Sequence, residues 1–340
     1  MRIAQIAPIT ERVPPKKYGG TERVVSALTE GLVKRGHDVT LFATNDSLTS
    51  AKLSSVIDGA LREKKFNNIY GLNTWTMYHI AMAYSHQEDF DLIHDHTGYI
   101  GLPIANLART PVLLTMHGNF HEDVRPMFDA IRRPQVVCIS KSQSEELKIR
   151  DFSVIYNGLP MSHYPFSLDH DGYLLFVGRI SLEKGTHIAI EAAQKSGLPL
   201  IIAAKLDEPD VKYFRKYIKP HLRDNIQWVG EVDEVDRNRL MSRALCFLHP
   251  VTWNEPFGLT MIEAMACGSP VVGFDKGSVP EIVKHGTTGY VVTNISSLLD
   301  AIKKIDKISR KYCRDYSLQE FSADKMTDEY ELLYKKILNQ

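Results

Sequence analysis

The stretch LCFLHPVTWNEPFGLTMIEAMACGSPVV, residues 245–272, carries a strand, a helix and a second strand in sequence order. A short apolar run precedes a polar loop, Gly258 opens a helix, and Gly268 ends the helix shortly before Pro270 and the next apolar run. Two strands joined through a helix lie parallel in one sheet, because a parallel connection has to cross over the sheet. The stretch therefore predicts an α/β fold.

Most of the chain repeats this alternation of short apolar runs and helix-like segments. We therefore expect parallel sheets covered on both faces, with ligand sites in the loops after the strands. One helix is well marked, TERVVSALTEGLVKRG, in which Thr21 is expected to cap the start and Gly36 to end the helix. The predicted strands are RIAQIAP, DVTLFAT, DLIHDH, VLLTMH, VVCIS, YLLFVGR, PLIIAA, NIQWVGEV, LCFLHP, PVVGFD and YVVT.

The periodic pattern breaks across residues 157–173, where NGLPMSHYPFSLDHDGY gathers proline, glycine and polar residues. A chain of 340 residues is long enough for two cores of ordinary size. We expect a first Rossmann-like domain over residues 1–160 and a second over 161–312. The polar, periodic tail over 313–340 predicts a C-terminal helix that can pack across either domain.

Composition excludes several classes of protein. The 41 basic and 41 acidic residues cancel, so no global field favours nucleic acid or an anionic membrane. The 4 cysteines lie far apart without a CxxC pair, which argues against disulfides and a cysteine zinc site. Neither a signal peptide nor an apolar run of ~18 residues is evident, so a cytoplasmic protein is expected. The loop APITERVPPKKYGG replaces a GxGxxG turn, which disfavours an NAD-dependent oxidoreductase.

Two glutamates, Glu255 and Glu263, stand eight residues apart on either side of the Gly258 turn. Helical side chains lean toward the helix N-terminus, so Glu263 is expected to point back toward the end that Glu255 precedes. That end offers free N–H groups and a positive dipole, where phosphate is stable and neighbouring carboxylates can bind sugar hydroxyls. Either glutamate alone would be only a favourable charge near a helix N-terminus.

Two cations follow a predicted strand in YLLFVGRISLEKG, residues 173–185. Arg179 comes directly after the strand and Lys184 five residues later, with Gly178 and Gly185 allowing tight backbone approach. A planar arginine fork and a lysine point charge suit a diphosphate. Isolated cations of this kind are more often solvated surface residues.

The string NEPFGLTMIE resembles the E-x7-E signature of the family 4 glycosyltransferases, and GR...EKG is similar to a second string of that family. The resemblance extends over nearly the whole chain and implies the GT-B fold, in which two Rossmann-like domains with parallel sheets face each other across a cleft. The first domain then binds the acceptor and the second the nucleotide sugar, and the C-terminal helix can cross back to the first. Glu255 is expected to hold the donor sugar's hydroxyls, and Glu263 the ribose. The donor-binding residues implied are Gly19, Gly20, Arg179, Lys184, Glu255, Pro256, Phe257, Gly258, Leu259 and Glu263.

Two further loops have parallels in the family. Gly19 and Gly20 precede a helix start, where the family has a glycine pair that approaches the donor phosphate, although an ordinary loop–helix junction explains them almost as well. In DKGSVPE the family commonly has two glycines beside the donor sugar. Here Ser278 stands in place of the second glycine, which disfavours backbone contact, and Glu281 is also explained as a helix cap.

Histidines follow two neighbouring strands of the first domain. His117 ends VLLTMH, where the family has a histidine that reaches the donor sugar or the reacting centre. In DLIHDH, His94 and His96 share a strand face with Asp95 between them, so a metal site is conceivable. Packing or acceptor contact is favoured instead, with His96 as the acceptor-side residue. The catalytic residues implied by the resemblance are His117, Arg179, Lys184 and Glu255.

The resemblance also implies a reaction. The anomeric configuration is retained through a front-face displacement in which the donor phosphate receives the acceptor's proton. No cofactor and no metal are expected, because the nucleotide sugar is a co-substrate, and a UDP-sugar is expected before a GDP- or ADP-sugar. The sequence leaves three classes of acceptor as alternatives: a carbohydrate, a lipid-linked molecule or a small molecule. No nucleic-acid partner is expected, and peripheral membrane contact stays open, since Lys16 and Lys17 are too few to indicate it.

Two rival functions share the same pattern. A nucleotide-sugar epimerase or hydrolase could use the same fold, and it would act without an acceptor. A non-catalytic nucleotide-sugar-binding module would lose residues of the reacting centre, whereas all four candidate residues of the second half are present: Arg179, Lys184, Glu255 and Glu263.

Overall fold

The structure, a computed structural model, describes residues 1–17, 19–66, 68–131, 134–147 and 152–339. The chain divides into two compact units. The first combines Met1–Pro160 with Ala323–Gln340, and the second is Met161–Ser322. The second unit thus extends past residue 312, the end expected from the sequence.

Parallel strands form the sheet of the first unit: β1 (Arg2–Ile6), β2 (Asp38–Phe42), β3 (Lys52–Ser54), β4 (Leu92–Asp95), β5 (Val112–Met116), β6 (Gln135–Cys138) and β7 (Phe152–Val154). Within the described residues their spatial order is β3-β2-β1-β4-β5-β6-β7. β1 lies in the middle, with Ile3 opposite Val39 of β2 on one side and Leu92 of β4 on the other. Since the winding reverses between β1 and β4, loops after these two strands border a natural ligand site.

The second unit has a sheet of the same kind: β8 (Leu174–Arg179), β9 (Leu200–Lys205), β10 (Ile226–Gly230), β11 (Cys246–His249), β12 (Val271–Phe274) and β13 (Gly289–Val292). The described strands follow the order β10-β9-β8-β11-β12-β13, and all of them are parallel. The winding reverses between β8 and β11, where Leu174 lies opposite Cys246. The predicted fold class, two Rossmann-like parallel sheets, is confirmed.

Helices connect the strands of both units. They are α1 (Gly20–Lys34), α2 (Ile69–Ser85), α3 (Leu102–Ala105), α4 (Arg125–Ala130), α5 (Lys141–Leu147), α6 (Thr186–Ser196), α7 (Val211–Tyr213), α8 (Glu234–Arg243), α9 (Leu259–Ala266), α10 (Val279–Ile282), α11 (Ile295–Ile302), α12 (Arg310–Glu320) and α13 (Ala323–Leu338). Among the helices of the described residues, none has both the length and the apolarity to cross a bilayer.

The C-terminal segment forms two helices rather than the one helix predicted over 313–340. α12 belongs to the second unit because it packs on α9: the Ser317 hydroxyl donates to the Ile262 carbonyl oxygen at 2.6 Å. α13 belongs to the first unit and packs on α1. A Cβ atom at Gly31 of α1 would lie 2.4 Å from Thr327 Oγ1 of α13, so this helix contact depends on a glycine.

The start of α1 differs from the prediction. The helix begins at Gly20 with Gly19 as its N-cap, so Thr21 lies inside the first turn and does not cap the helix. The predicted end is confirmed, because Gly36 has a φ of +83° and its N–H donates to the Val33 carbonyl oxygen at 2.9 Å.

Candidate donor site

Side chains from neighbouring strands converge at the carboxyl edge of the second sheet. β8 ends at Arg179 and β11 ends at His249, and these two strands flank the point where the winding reverses. The loop after β8 carries Lys184, and the loop after β11 carries Glu255. The topology therefore brings together two predicted cations and one predicted carboxylate that are far apart in sequence.

Lys184 and Glu255 form the centre of this cluster. The Lys184 ammonium donates to Glu255 Oε2 at 2.5 Å, and both side chains are largely buried. The indole N–H of Trp253 donates to the same carboxylate oxygen at 3.0 Å. Lys184 also lies over the Trp253 ring, 5.1 Å from its centroid, which adds a cation–π contact.

These contacts keep Glu255 ionised. Burial alone would raise the pKa of the carboxyl, but the charge of Lys184, the nearby His249 and the two hydrogen bonds together lower it below its ordinary value. Burial also lowers the pKa of His249 to about 4, so this imidazole is neutral at neutral pH. Glu255 is therefore a carboxylate that accepts hydrogen bonds, and a role as general acid does not fit it.

Arg179 lies in a second ion-pair group at the same edge. Its guanidinium donates to Glu183, and its Nε lies 3.7 Å from a carboxylate oxygen of Asp210. The arginine side chain keeps 37% of its surface exposed. An anionic ligand can thus reach a guanidinium that local carboxylates already hold in a fixed orientation.

The loop Glu255–Leu259 leads into α9 as the sequence predicted. Gly258 is the N-cap of α9 with a φ of +80°, and Leu259 begins the helix. A Cβ at Gly258 would lie 3.3 Å from His249 Nε2 and 2.7 Å from Met261. Phe257 is buried and packs edge-on against Phe321, so it anchors the loop rather than lining open space. The free N–H groups of α9 begin directly after this loop, and Pro256 lies within it.

The loop after β12 donates two hydrogen bonds to the backbone of the Glu255 loop. The Ser278 N–H donates to the Glu255 carbonyl oxygen at 3.0 Å, and the buried Ser278 hydroxyl donates to the Phe257 carbonyl oxygen at 2.6 Å. A glycine at this position would keep the backbone bond to Glu255, but the bond to Phe257 needs the serine hydroxyl.

Gly277→Ala is expected to displace the Glu255 loop and to lower the activity of the site by roughly tenfold or more. The added Cβ would lie 2.4 Å from both the backbone nitrogen and the carbonyl oxygen of Glu255, and the φ of Gly277 is +54°. Gly286→Ala is the matched control, since its φ of +76° carries the same strain of about 1–2 kcal/mol, but nothing lies within 4 Å of the new Cβ. Steady-state kinetics of both variants test this, and equal activities would contradict it.

Glu263 is held in a way that the sequence did not indicate. Its side chain is 1% exposed, and Glu263 Oε1 accepts from the Arg237 guanidinium of α8 at 2.7 Å. Arg237 also lies 3.5 Å from Glu234, one turn earlier in α8. Arg237 was missed because an i, i+3 Glu–Arg pair in a polar helix is typical of a solvated face. The predicted contact of Glu263 with ribose stays a prediction.

In the first unit, His117 and His96 lie side by side at the ends of β5 and β4. His117 is half-buried, and its Nε2 lies 2.9 Å from His96 Nδ1. His96 is 3% exposed, and its Nε2 lies 2.7 Å from Gln5 Oε1. Since both of its ring nitrogens have protein partners, the prediction that His96 contacts an acceptor does not fit this geometry. His96 instead holds the His117 ring in place through the contact between their ring nitrogens.

The metal alternative at His94 also loses support from the hydrogen bonds. His94 Nδ1 lies 2.6 Å from the Tyr334 hydroxyl, and Nε2 lies 2.7 Å from Thr115 Oγ1. Asp95 accepts hydrogen bonds from Thr97 and Tyr84. In the part of the chain that the structure describes, no three His, Cys, Asp or Glu side chains are grouped as metal ligands.

The predicted glycine pair lies at the start of α1, beside a buried acid. Gly20 begins the helix, and a Cβ at Gly19 would lie 2.7 Å from Pro15 and 3.1 Å from a carboxylate oxygen of Glu22. Glu22 is 5% exposed, and burial raises its pKa to about 7. The first glycine is therefore needed for packing of the loop, and its contact with a donor phosphate stays a prediction.

This combination of fold and site defines a class of protein, the glycosyltransferases of the GT-B type. Solved structures share the fold. Sucrose-phosphate synthase from Thermosynechococcus elongatus has a TM-score of 0.82 at 20% identity over 99% of both chains. The Anabaena protein HepE, solved in complex with UDP and glucose, has a TM-score of 0.76 at 19% identity over 99% of this chain and 100% of its own.

Sequence comparison gives the family. The profile described as Glycosyltransferase Family 4 matches residues 18–163, and the profile described as Glycosyl transferases group 1 matches residues 166–319, so together they span most of the chain. N-acetyl-alpha-D-glucosaminyl L-malate synthase of Bacillus anthracis is 24% identical over 94% of both chains. The chain belongs to glycosyltransferase family 4.

Proposed function

We propose that this protein is a retaining glycosyltransferase that transfers a sugar from a UDP-sugar to a hydroxyl-bearing acceptor. The observation that carries the proposal is the convergence of Arg179, Lys184 and Glu255 beside the N-terminus of α9, at the winding reversal of the second sheet. The fold neighbour HepE was solved with UDP and glucose, which supports UDP-sugars as the first donors to test.

The proposed role of the cations follows from the charge that builds up on the leaving group. Transfer from a nucleotide sugar passes through an oxocarbenium-like centre while the departing diphosphate gains negative charge. Arg179 and Lys184 supply positive charge at that place, and their ion pairs with Glu183 and Glu255 fix them before the donor arrives. Groups oriented in advance need no reorganisation when the bond breaks. We propose that these residues and the α9 N-terminus take this role without a metal ion.

The state of Glu255 supports a sugar-binding role. In the described part of the chain, Lys184 and Trp253 both contact Oε2, which leaves Oε1 to accept a hydrogen bond from a donor hydroxyl. A carboxylate whose pKa is lowered in this way is also a weak nucleophile. A front-face displacement, in which the donor phosphate takes the acceptor's proton, needs no carboxylate nucleophile and fits this arrangement.

Thermal unfolding in the presence of UDP-, GDP- and ADP-sugars tests the donor. A bound donor at about 100 times its Kd stabilises the folded chain by about 2.7 kcal/mol, so the midpoint should rise with UDP-sugars and much less with the others. Arg179→Ala should reduce the rise because it removes one diphosphate ligand. A rise only with GDP- or ADP-sugars would overturn the UDP assignment but not the proposed role of Arg179 and Lys184 as diphosphate ligands.

Product analysis tests the reaction itself. The acceptor class is open to carbohydrates, lipid-linked molecules and small molecules, so a donor that gives a thermal shift should be incubated with members of each class. NMR of the purified product gives the anomeric configuration, which should match that of the donor. Conversion of the nucleotide sugar in the absence of any acceptor, with no glycosylated product in its presence, would replace the transferase by an epimerase or a hydrolase.

A further inference from the structure

A chain of buried hydrogen bonds leads from the C-terminal helix of the first unit to His117. The Tyr334 hydroxyl of α13 accepts from Gln5 Nε2 at 3.2 Å. Gln5 Oε1 lies 2.7 Å from His96 Nε2, and His96 Nδ1 lies 2.9 Å from His117 Nε2. Gln5 lies on β1 and His96 directly follows β4, so this hydrogen-bond network joins the two strands that flank the winding reversal of this sheet.

Three members of this hydrogen-bond network are shielded from solvent, His117 is half-buried, and the imidazoles are neutral. Gln5 and Tyr334 are 0% exposed, and His96 is 3% exposed. Burial and the neighbouring His94 and His117 hold the pKa of His96 well below its usual range, and burial lowers the pKa of His117 to about 4. A neutral imidazole carries one N–H, so each ring is a donor at one nitrogen and an acceptor at the other.

The direction of each hydrogen bond then follows from the Gln5 amide. Because Gln5 Oε1 accepts, His96 carries its proton on Nε2, and His96 Nδ1 is an acceptor. His117 must therefore carry its proton on Nε2 to donate to His96. The remaining nitrogen of His117, Nδ1, is left with a lone pair and can accept a hydrogen bond.

Tyr334 couples that amide to a second histidine. Its hydroxyl accepts from Gln5 and therefore donates to His94 Nδ1 at 2.6 Å, and His94 Nε2 then donates to Thr115 Oγ1 at 2.7 Å. Rotation of the Gln5 amide by 180° would require the hydroxyl of Tyr334 and the tautomers of three histidines to reverse together. The tautomer of His117 is therefore tied to the orientation of the Gln5 amide, and the two can change only if the whole network reverses.

We infer that Tyr334, Gln5 and His96 are positioning residues that hold His117 as the Nε2–H tautomer, with Nδ1 ready to accept a hydrogen bond from a substrate hydroxyl. The inference rests on the proposed function in one respect, the contact of His117 with the substrate. It assigns to α13 a role in the site that is independent of its packing on α1. The tautomer itself is a property of the protein without any ligand.

Nitrogen-15 NMR of histidine rings tests the tautomer directly in the full chain, because protonated and unprotonated ring nitrogens have well separated shifts. His117→Gln identifies the signals of His117 by their loss. We expect Nε2 of His117 to be protonated and Nδ1 to be unprotonated at neutral pH. A protonated Nδ1, or averaged shifts that report exchange between both tautomers, would overturn the inference.

Tyr334→Phe tests the role of the helix, with Tyr84→Phe as the control. Tyr334→Phe removes two buried hydrogen bonds, to Gln5 and to His94. Tyr84 is 5% exposed and donates to Asp95 at 2.8 Å, so Tyr84→Phe removes one buried hydrogen bond in the same unit and leaves the hydrogen bonds from Gln5 to His117 intact. Tyr334→Phe should give mixed His117 tautomers and raise the donor KM about two- to tenfold with kcat little changed, because only part of the population is competent to bind. Tyr84→Phe should change neither.

The outcomes separate the two proposals. A single Nε2–H tautomer in both variants would overturn the role of Tyr334, even if both variants lost stability equally. Absence of transfer by the wild-type protein would defeat the proposed function, whereas the ring-nitrogen spectra would still decide the tautomer.

Discussion

Arg179→Ala is expected to lower turnover by about a hundredfold or more while the protein stays folded, since loss of one preorganised group that stabilises transition-state charge commonly has this effect. Arg179 is the cleaner of the two cations to test because its side chain is 37% exposed and its partners, Glu183 and Asp210, remain accessible to water. Lys184→Ala should lose as much activity. It should also lower stability, because Glu255 would be left as a buried carboxylate without its cation.

Arg243→Ala is the matched control for Arg179→Ala. Arg243 is 39% exposed and its Nε donates to Asp171 at 3.0 Å, so it resembles Arg179 in exposure and in pairing. It lies near the amino end of β8, however, whereas Arg179 ends the same strand. Single-turnover and steady-state rates with a saturating donor should fall only for Arg179→Ala. Equal rates for the two variants would remove the diphosphate role of Arg179.

Much of the fold could be predicted from sequence because buried parallel strands are short, continuous apolar runs. The edge strands β3 and β7 were missed, since Lys52–Ser54 and Phe152–Val154 lack such a run. The break between α12 and α13 was missed for a different reason. Both helices carry polar residues at helical spacing, and the sequence does not show that Ser317 bonds to α9 whereas Thr327 packs on α1.

In the candidate site too, the sequence predicted the residues of each local motif but not their contacts with distant parts of the chain. The spacing of Glu255, Gly258 and Glu263 indicated a loop that enters a helix, which the structure has. The pairing of these residues is not local: Lys184 was a candidate from its own motif, but only the strand order brings the loop after β8 beside the loop that carries Glu255. Arg237, which had no signal in the sequence, reaches Glu263 from another helix. Residues on a motif could be found from sequence, but the contacts that set their charge and orientation could not.

Glu255→Gln is expected to lower kcat/KM by about a hundredfold, with Glu331→Gln as the control. The amide keeps the shape of the side chain but removes the charge that Lys184 and Trp253 hold in place, and one acceptor oxygen becomes a donor. Glu331 is a similar carboxylate in the first unit: it is 20% exposed, pairs with Lys335 at 2.7 Å, and its pKa is lowered mainly by that lysine. Glu331→Gln should therefore lose some stability and no activity.

The pH dependence of stability separates loss of the ion pair from loss of catalysis. Since the pKa of Glu255 is lower in the folded protein than in the unfolded chain, its stabilising effect is fully present above the unfolded pKa and is lost as the pH falls through the folded value. The difference in unfolding free energy between wild type and Glu255→Gln should thus be largest near neutral pH and shrink below about pH 4.5. Glu331→Gln should show the same trend, because its pKa is also lowered. If both variants follow this trend but only Glu255→Gln loses transfer, the carboxylate acts on the substrate and not only on the fold. A Glu255→Gln variant with wild-type kcat/KM would end its assignment to the donor sugar.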